Sequence, residues 1–226
     1  MMRATTTTQA ARLINSLDEF RATRARTLAM ARGLTQEQLD FVPAPDRWSI
    51  GEVLDHMLLA ERLNREQIAR LIQLKKEGQR PELILTFSDL NISVIGVPRS
   101  LLPLLEIPLT LVNMFVPESL RNYLTRTRVL PFRNPNQATP HRGRAAAELH
   151  GDLIASLGET ERLFQSNSDL NYDEMVLQHP LLGRYDVPGL LRFMSAHEER
   201  HQSQIVDIQT STHVPISTRC CGACHA

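Results

Sequence analysis

Cysteine is missing from the body of this chain. All three, Cys220, Cys221 and Cys224, fall within the last seven residues. They build no disulfide framework, so a reducing, cytoplasmic setting is expected. A charge surplus is missing too, since 25 Lys plus Arg stand against 25 Asp plus Glu. That excludes a general nucleic-acid binder, which needs a basic excess. Aromatic residues make up 5% of the chain, too few for base-stacking platforms. Unbroken hydrophobic runs are lacking as well. The most apolar stretch, ISVIGVPRSLLPLLEIPLTLVNMFVP, is interrupted by Pro98, Arg99, Pro103, Glu106 and Pro108. A membrane span needs about 20 residues with few charges, so membrane contact is not expected. A surface-docking role for residues 92–116 is the lesser reading. Neither a G-x-G-x-x-G, nor a P-loop, nor strand-like alternation appears.

What is present is helical periodicity. Leu13, Leu17, Phe20, Leu28 and Ala31 recur at helical spacing, and Gly33 stands where a C-terminal glycine would. This predicts a first helix from about 9 to 32. Pro43 and Pro45 break the connector that follows. Ser49 with Glu52 forms a capping box, and the pattern then runs to Gly78 without a proline. Val53, Met57, Ala60, Asn64, Ile68 and Leu71 share one stripe of this second helix.

Residues 78–140 hold most of the thirteen prolines and read as a helical insertion of short pieces capping one end. A third helix is expected from 141 to about 166. A loop with a short helix comes next. A fourth helix, capped by Asp186 with Pro188 in its first turn, runs to about Thr210. The fold expected is all-α: a four-helix bundle over 9–212, up-down-down-up, flanked by a tail at 1–8 and a Cys-containing tail at 213–226. The long link between helices two and three lets them run parallel.

His197 and His201 lie four residues apart on the fourth helix, so their rings project from one face. That is the geometry by which two imidazoles grip one ion. His56, within the second helix among stripe residues, is the natural third ligand. Neutral imidazoles suit Zn, Ni or Fe, and three protein ligands leave a coordination position open for chemistry. H-x-x-x-H also occurs by chance on solvated faces. HEERH matches the zinc-protease H-E-x-x-H as written, but only a few helical residues and a tail follow it. A di-iron site needs a second E-x-x-H, and the sequence offers none.

Two segments resemble a known family. RWSIGEVLDHMLLAE is similar to the second-helix signature of the DinB/YfiT-like superfamily, and HPLLGRYDVPGLLRFMSAHEERHQSQI resembles its final signature. The resemblance spans about 9–210. It implies a four-helix bundle with a three-histidine metal site, matching His56, His197 and His201. It further implies a metal-dependent enzyme, a low-molecular-weight-thiol S-transferase or a hydrolase, since members include thiol-dependent S-transferases and a maleylpyruvate isomerase that also uses such a thiol.

Other residues invite roles. Glu52, Asp55, Glu198 and Gln204 are candidates to orient the imidazoles through hydrogen bonds, although capping and solvation suit the carboxylates equally. Trp48 is expected to pack in the core or wall a pocket. Arg121, Arg126 and Arg128 lie in a stretch without acids between Glu118 and Glu148, and are candidates for an anionic thiol cofactor. Ordinary helix capping is the competing explanation. The tail CCGACHA contains C-x-x-C-H, yet only Ala226 follows, too little chain to cover a haem. A small-molecule substrate is expected, and a homodimer is possible. The non-enzymatic alternative is a helical-bundle protein that binds metal or serves in stress.

Overall fold

The computed structural model describes residues 2–86, 117–126, 138–179 and 183–211. The apolar stretch at 92–116, Arg128 and the cysteine tail lie outside the described residues, as does the side chain of Arg121. The described chain is mostly helical and carries a small three-stranded sheet.

Local signals set the helix ends. The first helix, α1, spans Met2–Ala31, and Gly33 follows in the left-handed region at φ 78. It begins earlier than the periodicity predicts, so residues 2–8, expected as a tail, are helical backbone. A short α2, Gln36–Asp40, starts at a Thr35–Gln38 capping box. Helix α3 spans Ile50–Lys76 and opens with the expected Ser49–Glu52 capping box. It closes with a Schellman arrangement around Gly78 (φ 71), in which the Gln79 N–H donates to the Leu74 carbonyl and that of Gly78 to Lys75. Helix α4, Glu118–Arg126, lies inside the proline-rich insertion. Helix α5 spans Ala146–Gln165. Helix α6, Val187–Gln209, begins where the Asp186 carboxylate accepts from the Gly189 N–H at 2.7 Å.

Side-chain pairs order the four long helices. Arg12–Asp186, Ser16–Arg192, Arg26–Glu199 and Met30–Gln209 climb together, so α1 and α6 run in the same sense. Gly51 faces Leu149 and Arg65 donates to Ser156, so α3 and α5 also share a sense. Arg21 meets Glu161 while Arg24 meets the Leu153 carbonyl, so α1 and α5 are opposed. Gly51 also lets α2 press close: a Cβ there would sit 3.3 Å from the Leu39 carbonyl oxygen.

The mostly helical architecture agrees with the all-α expectation, and a small sheet is added to it. β1, Glu82–Ile84, pairs in parallel with β2, Val176–His179. β2 pairs antiparallel with β3, Gly183–Asp186, with Val176 opposite Asp186 and His179 opposite Gly183. The short helix expected after α5 is a single 3₁₀ turn, Tyr172–Glu174. Strands this short show too few alternations to be read, and β1 finds its partner across a long sequence separation.

The apolar core falls into two clusters. One gathers Leu17, Phe20, Ile68, Leu71, Phe164, Leu191 and the inner face of the sheet. The other gathers Leu39, Ile50, Val53, Met57, Leu149, Leu153 and Ile205. Between them lies a buried polar layer. The Arg24 guanidinium bridges Glu61 and Glu198 at 2.9 Å to each, and Thr27 and Thr160 donate to those carboxylates. Along every long helix the layer residue falls between a member of one cluster and a member of the other.

Candidate metal centre

His56 sits on the second turn of α3, one turn past its capping box, where it is 1% exposed. His197 and His201 sit on successive turns of α6. α3 and α6 pack together, and the three rings meet. The Nε2 atom of His197 lies 3.4 Å from Nε2 of His56 and 3.2 Å from Nε2 of His201. All three ligand atoms lie within 4.8 Å of one another. Nitrogens bound tetrahedrally at about 2.0–2.1 Å would stand about 3.3–3.4 Å apart, so the spacing fits one ion.

The protons tell the same story. His56 Nδ1–H donates to the Ala138 carbonyl at 2.7 Å, and His201 Nδ1–H donates to Gln204 Oε1 at 2.6 Å. In the neutral rings this leaves both Nε2 atoms with lone pairs aimed at the third imidazole. His197 could offer a proton to one of them only. A cation satisfies all three together. Burial drives the His56 pKa below its ordinary value, against the opposing pull of the Ala138 hydrogen bond and Asp55. His197 is driven well below, by burial first and then by His201, His56 and Arg200. Rings held neutral in this way are competent ligands.

Aromatic side chains frame the cluster. Half-buried Trp48 lies 4.9 Å from the His56 ring, centroid to centroid, and 6.3 Å from His201. Phe193 lies 6.0 Å from His197. Trp48 therefore walls the site.

The candidate orienting residues divide. Gln204 fixes His201 directly. Glu198 does not reach an imidazole, because its carboxylate is taken by Arg24 and Thr27 in the polar layer. It therefore lies outside the role of a protease general base. Glu52 closes the capping box and accepts from Arg142. Asp55 accepts from the His141 backbone and ring and from Arg144. Burial pushes its carboxyl up, but these donors outweigh it and hold the pKa below the usual value. Arg126 pairs with Glu19 and Glu199, tying α4 to α1 and α6. Sequence reasoning missed two features. Ala138 contributes a backbone oxygen, which leaves no trace in residue type. Arg24 was detectable: it occupies the core stripe between Phe20 and Leu28 where an apolar residue was due.

The model of the DinB superfamily matches residues 19–205. The chain belongs to the DinB superfamily. The match runs from the second half of α1 through nearly all of α6 and contains all three histidines. No curated protein and no solved structure matches significantly. Membership in the DinB superfamily and the three-histidine group are together compatible with a metal-binding protein. Among the described residues, no helix is long and apolar enough to cross a membrane.

Proposed function

We propose that this DinB-superfamily member is a metal-dependent enzyme whose divalent ion, Zn, Ni or Fe, is held by His56, His197 and His201. The observation that supports this most directly is the mutual approach of three Nε2 atoms, two of them stripped of protons by Ala138 and Gln204. A divalent ion in that position supplies Lewis acidity and lowers the pKa of a thiol or water delivered to it. The frame is an up-down-down-up four-helix bundle, a reading supported by the shared sense of α1 with α6 and of α3 with α5.

Of the two reactions the resemblance implies, we favour thiol transfer over hydrolysis. Hydrolases of the metalloprotease type add a glutamate general base to the metal-bound water. Here the carboxylates adjacent to the ligands in sequence, Asp55 and Glu198, are both committed to cations. Coordination lowers the pKa of water as well, but water starts at about 15.7 and a thiol at about 8.5, so the thiol is the easier to ionise without a neighbouring base. Trp48 and Phe193 suit a small substrate with an apolar, planar part. The working setting is the cytoplasm.

The test combines metal analysis with turnover. The purified protein is expected to carry close to one divalent ion per chain, and the triple His56→Ala, His197→Ala, His201→Ala variant close to none. Loaded protein is then assayed with an aryl halide and a panel of glutathione, cysteine and coenzyme A. Metal-dependent conjugation with one thiol supports transfer. Full metal content in the triple variant, or no turnover with any thiol, contradicts the respective half of the proposal.

A further inference from the structure

Two neighbouring residues of α3 hold the same piece of chain. His56 Nδ1–H donates to the carbonyl of Ala138. Asp55 Oδ2 accepts from the His141 N–H at 2.7 Å and from His141 Nδ1 at 3.0 Å, and Asp55 Oδ1 accepts from Arg144 at 2.7 Å. One turn earlier, Glu52 accepts from Arg142 at 2.8 Å. The segment 138–144 is thus strapped across the first turns of α3 by Asp55 and Glu52. Its innermost point, Ala138, is 2% exposed and presents its oxygen to His56. Only two residues separate Ala138 from His141, so holding His141 restricts where that oxygen can go. Arg144 also reaches Asp152, which joins the strap to α5.

We propose that Asp55 is a positioning residue for the metal ligand His56, acting through the 138–144 strap. This rests on the metal reading above. Asp55 fixes the strap, the strap places the Ala138 carbonyl, and that carbonyl keeps the His56 proton on Nδ1 and its lone pair on Nε2. Carboxylates usually orient a metal-bound histidine by direct contact; here the carboxylate works one hydrogen bond further out and leaves the contact to a backbone oxygen. Asp55 is 3% exposed on its side chain and satisfied on both oxygens, which suits a rigid anchor. Because the strap closes the proline-rich insertion, the same anchor ties the end of that insertion to the metal site.

The full chain is tested as wild type, Asp55→Ala, His56→Ala and the double variant. Affinity for Zn and Ni is measured by competition with a chelator. Asp55→Ala is expected to weaken binding by on the order of 10- to 100-fold. In the His56→Ala background the same change is expected to add nothing, since the residue acts through His56. Imidazole ¹⁵N spectra of the metal-free protein supply a readout that a purely structural role would not move. His56 is expected as the Nδ1–H tautomer in wild type and as a mixture in Asp55→Ala. Should Asp55→Ala not fold, Asp55→Asn keeps the shape and one accepting oxygen, and is expected to show a smaller loss in the same direction. Wild-type affinity in the folded Asp55 variant beside a loss in His56→Ala overturns the positioning role alone, as does an equal penalty in both backgrounds. Wild-type affinity in His56→Ala overturns the metal reading and the positioning role with it.

Discussion

Arg24 is the residue whose removal should hurt the folded state most. Its guanidinium is buried between Glu61 and Glu198, and also donates to the Leu153 carbonyl. Burial works against its charge, yet the two carboxylates more than offset this and hold its pKa above the ordinary value. Arg24→Met would leave two buried carboxylates without their principal counter-ion. Breaking a buried ion pair from one side costs about 3–5 kcal/mol, and urea unfolding of Arg24→Met should show a loss of that order. A shift within error of wild type would mean the layer is hydrated. Gln204 belongs to the site instead. Gln204→Leu removes the acceptor for His201 Nδ1–H, so metal affinity is expected to fall on the order of 10-fold or more with little change in stability. Chelator competition and thermal melting of the same sample separate the two effects.

The start of α3 serves both fold and site, since the Ser49 cap, Trp48, Asp55 and His56 fall within two turns. Ser49→Ala is expected to cost about 1 kcal/mol through the lost cap, read as a lowered urea midpoint. These ends were legible because caps are local: Ser49 with Glu52, Asp186 with Pro188, and Gly33 and Gly78 each declare themselves within a few residues. The pairing of His197 with His201 was legible for the same reason, being set by helix pitch alone. His56 was legible as a stripe residue and through the family signature. The sheet was not, because β1 and β2 have three or four residues each and their pairing is a long-range event. Nor was the strap, whose decisive atom is a backbone oxygen at Ala138. Glu198 illustrates the opposite error. Its place beside His197 in the sequence suggested service to the metal, but neighbours on a helix point about 100° apart, and it faces α1.

At the scale of the whole molecule, two apolar clusters enclose one ionic layer, with His56 next to Met57 of one cluster in α3 and the His197 ring beside Phe193 of the other. A buried layer of charge admits few alternative helix registers, since a one-turn slip would strand Glu61 or Glu198. The same interior sets the acid response of the metal-free protein. Burial lowers the pKa of His56 and of His197, and pushes that of His179 down to about 4. All three folded values lie below the unfolded value of about 6.5, so the native state binds fewer protons than the unfolded chain. Stability is therefore full above about pH 6.5 and falls as pH drops toward 4, each group adding at most about 1.4 kcal/mol per pH unit. Urea midpoints in chelator at pH 7.5, 6 and 4.5 should descend in that order, and a flat series would contradict the neutral, buried rings. The central claim, one ion on three imidazoles, is tested most directly by X-ray absorption on the metal-loaded protein. Three imidazole nitrogens at about 2.0–2.2 Å are predicted, falling to two in His56→Ala. A spectrum dominated by sulfur, or one unchanged by His56→Ala, would contradict it.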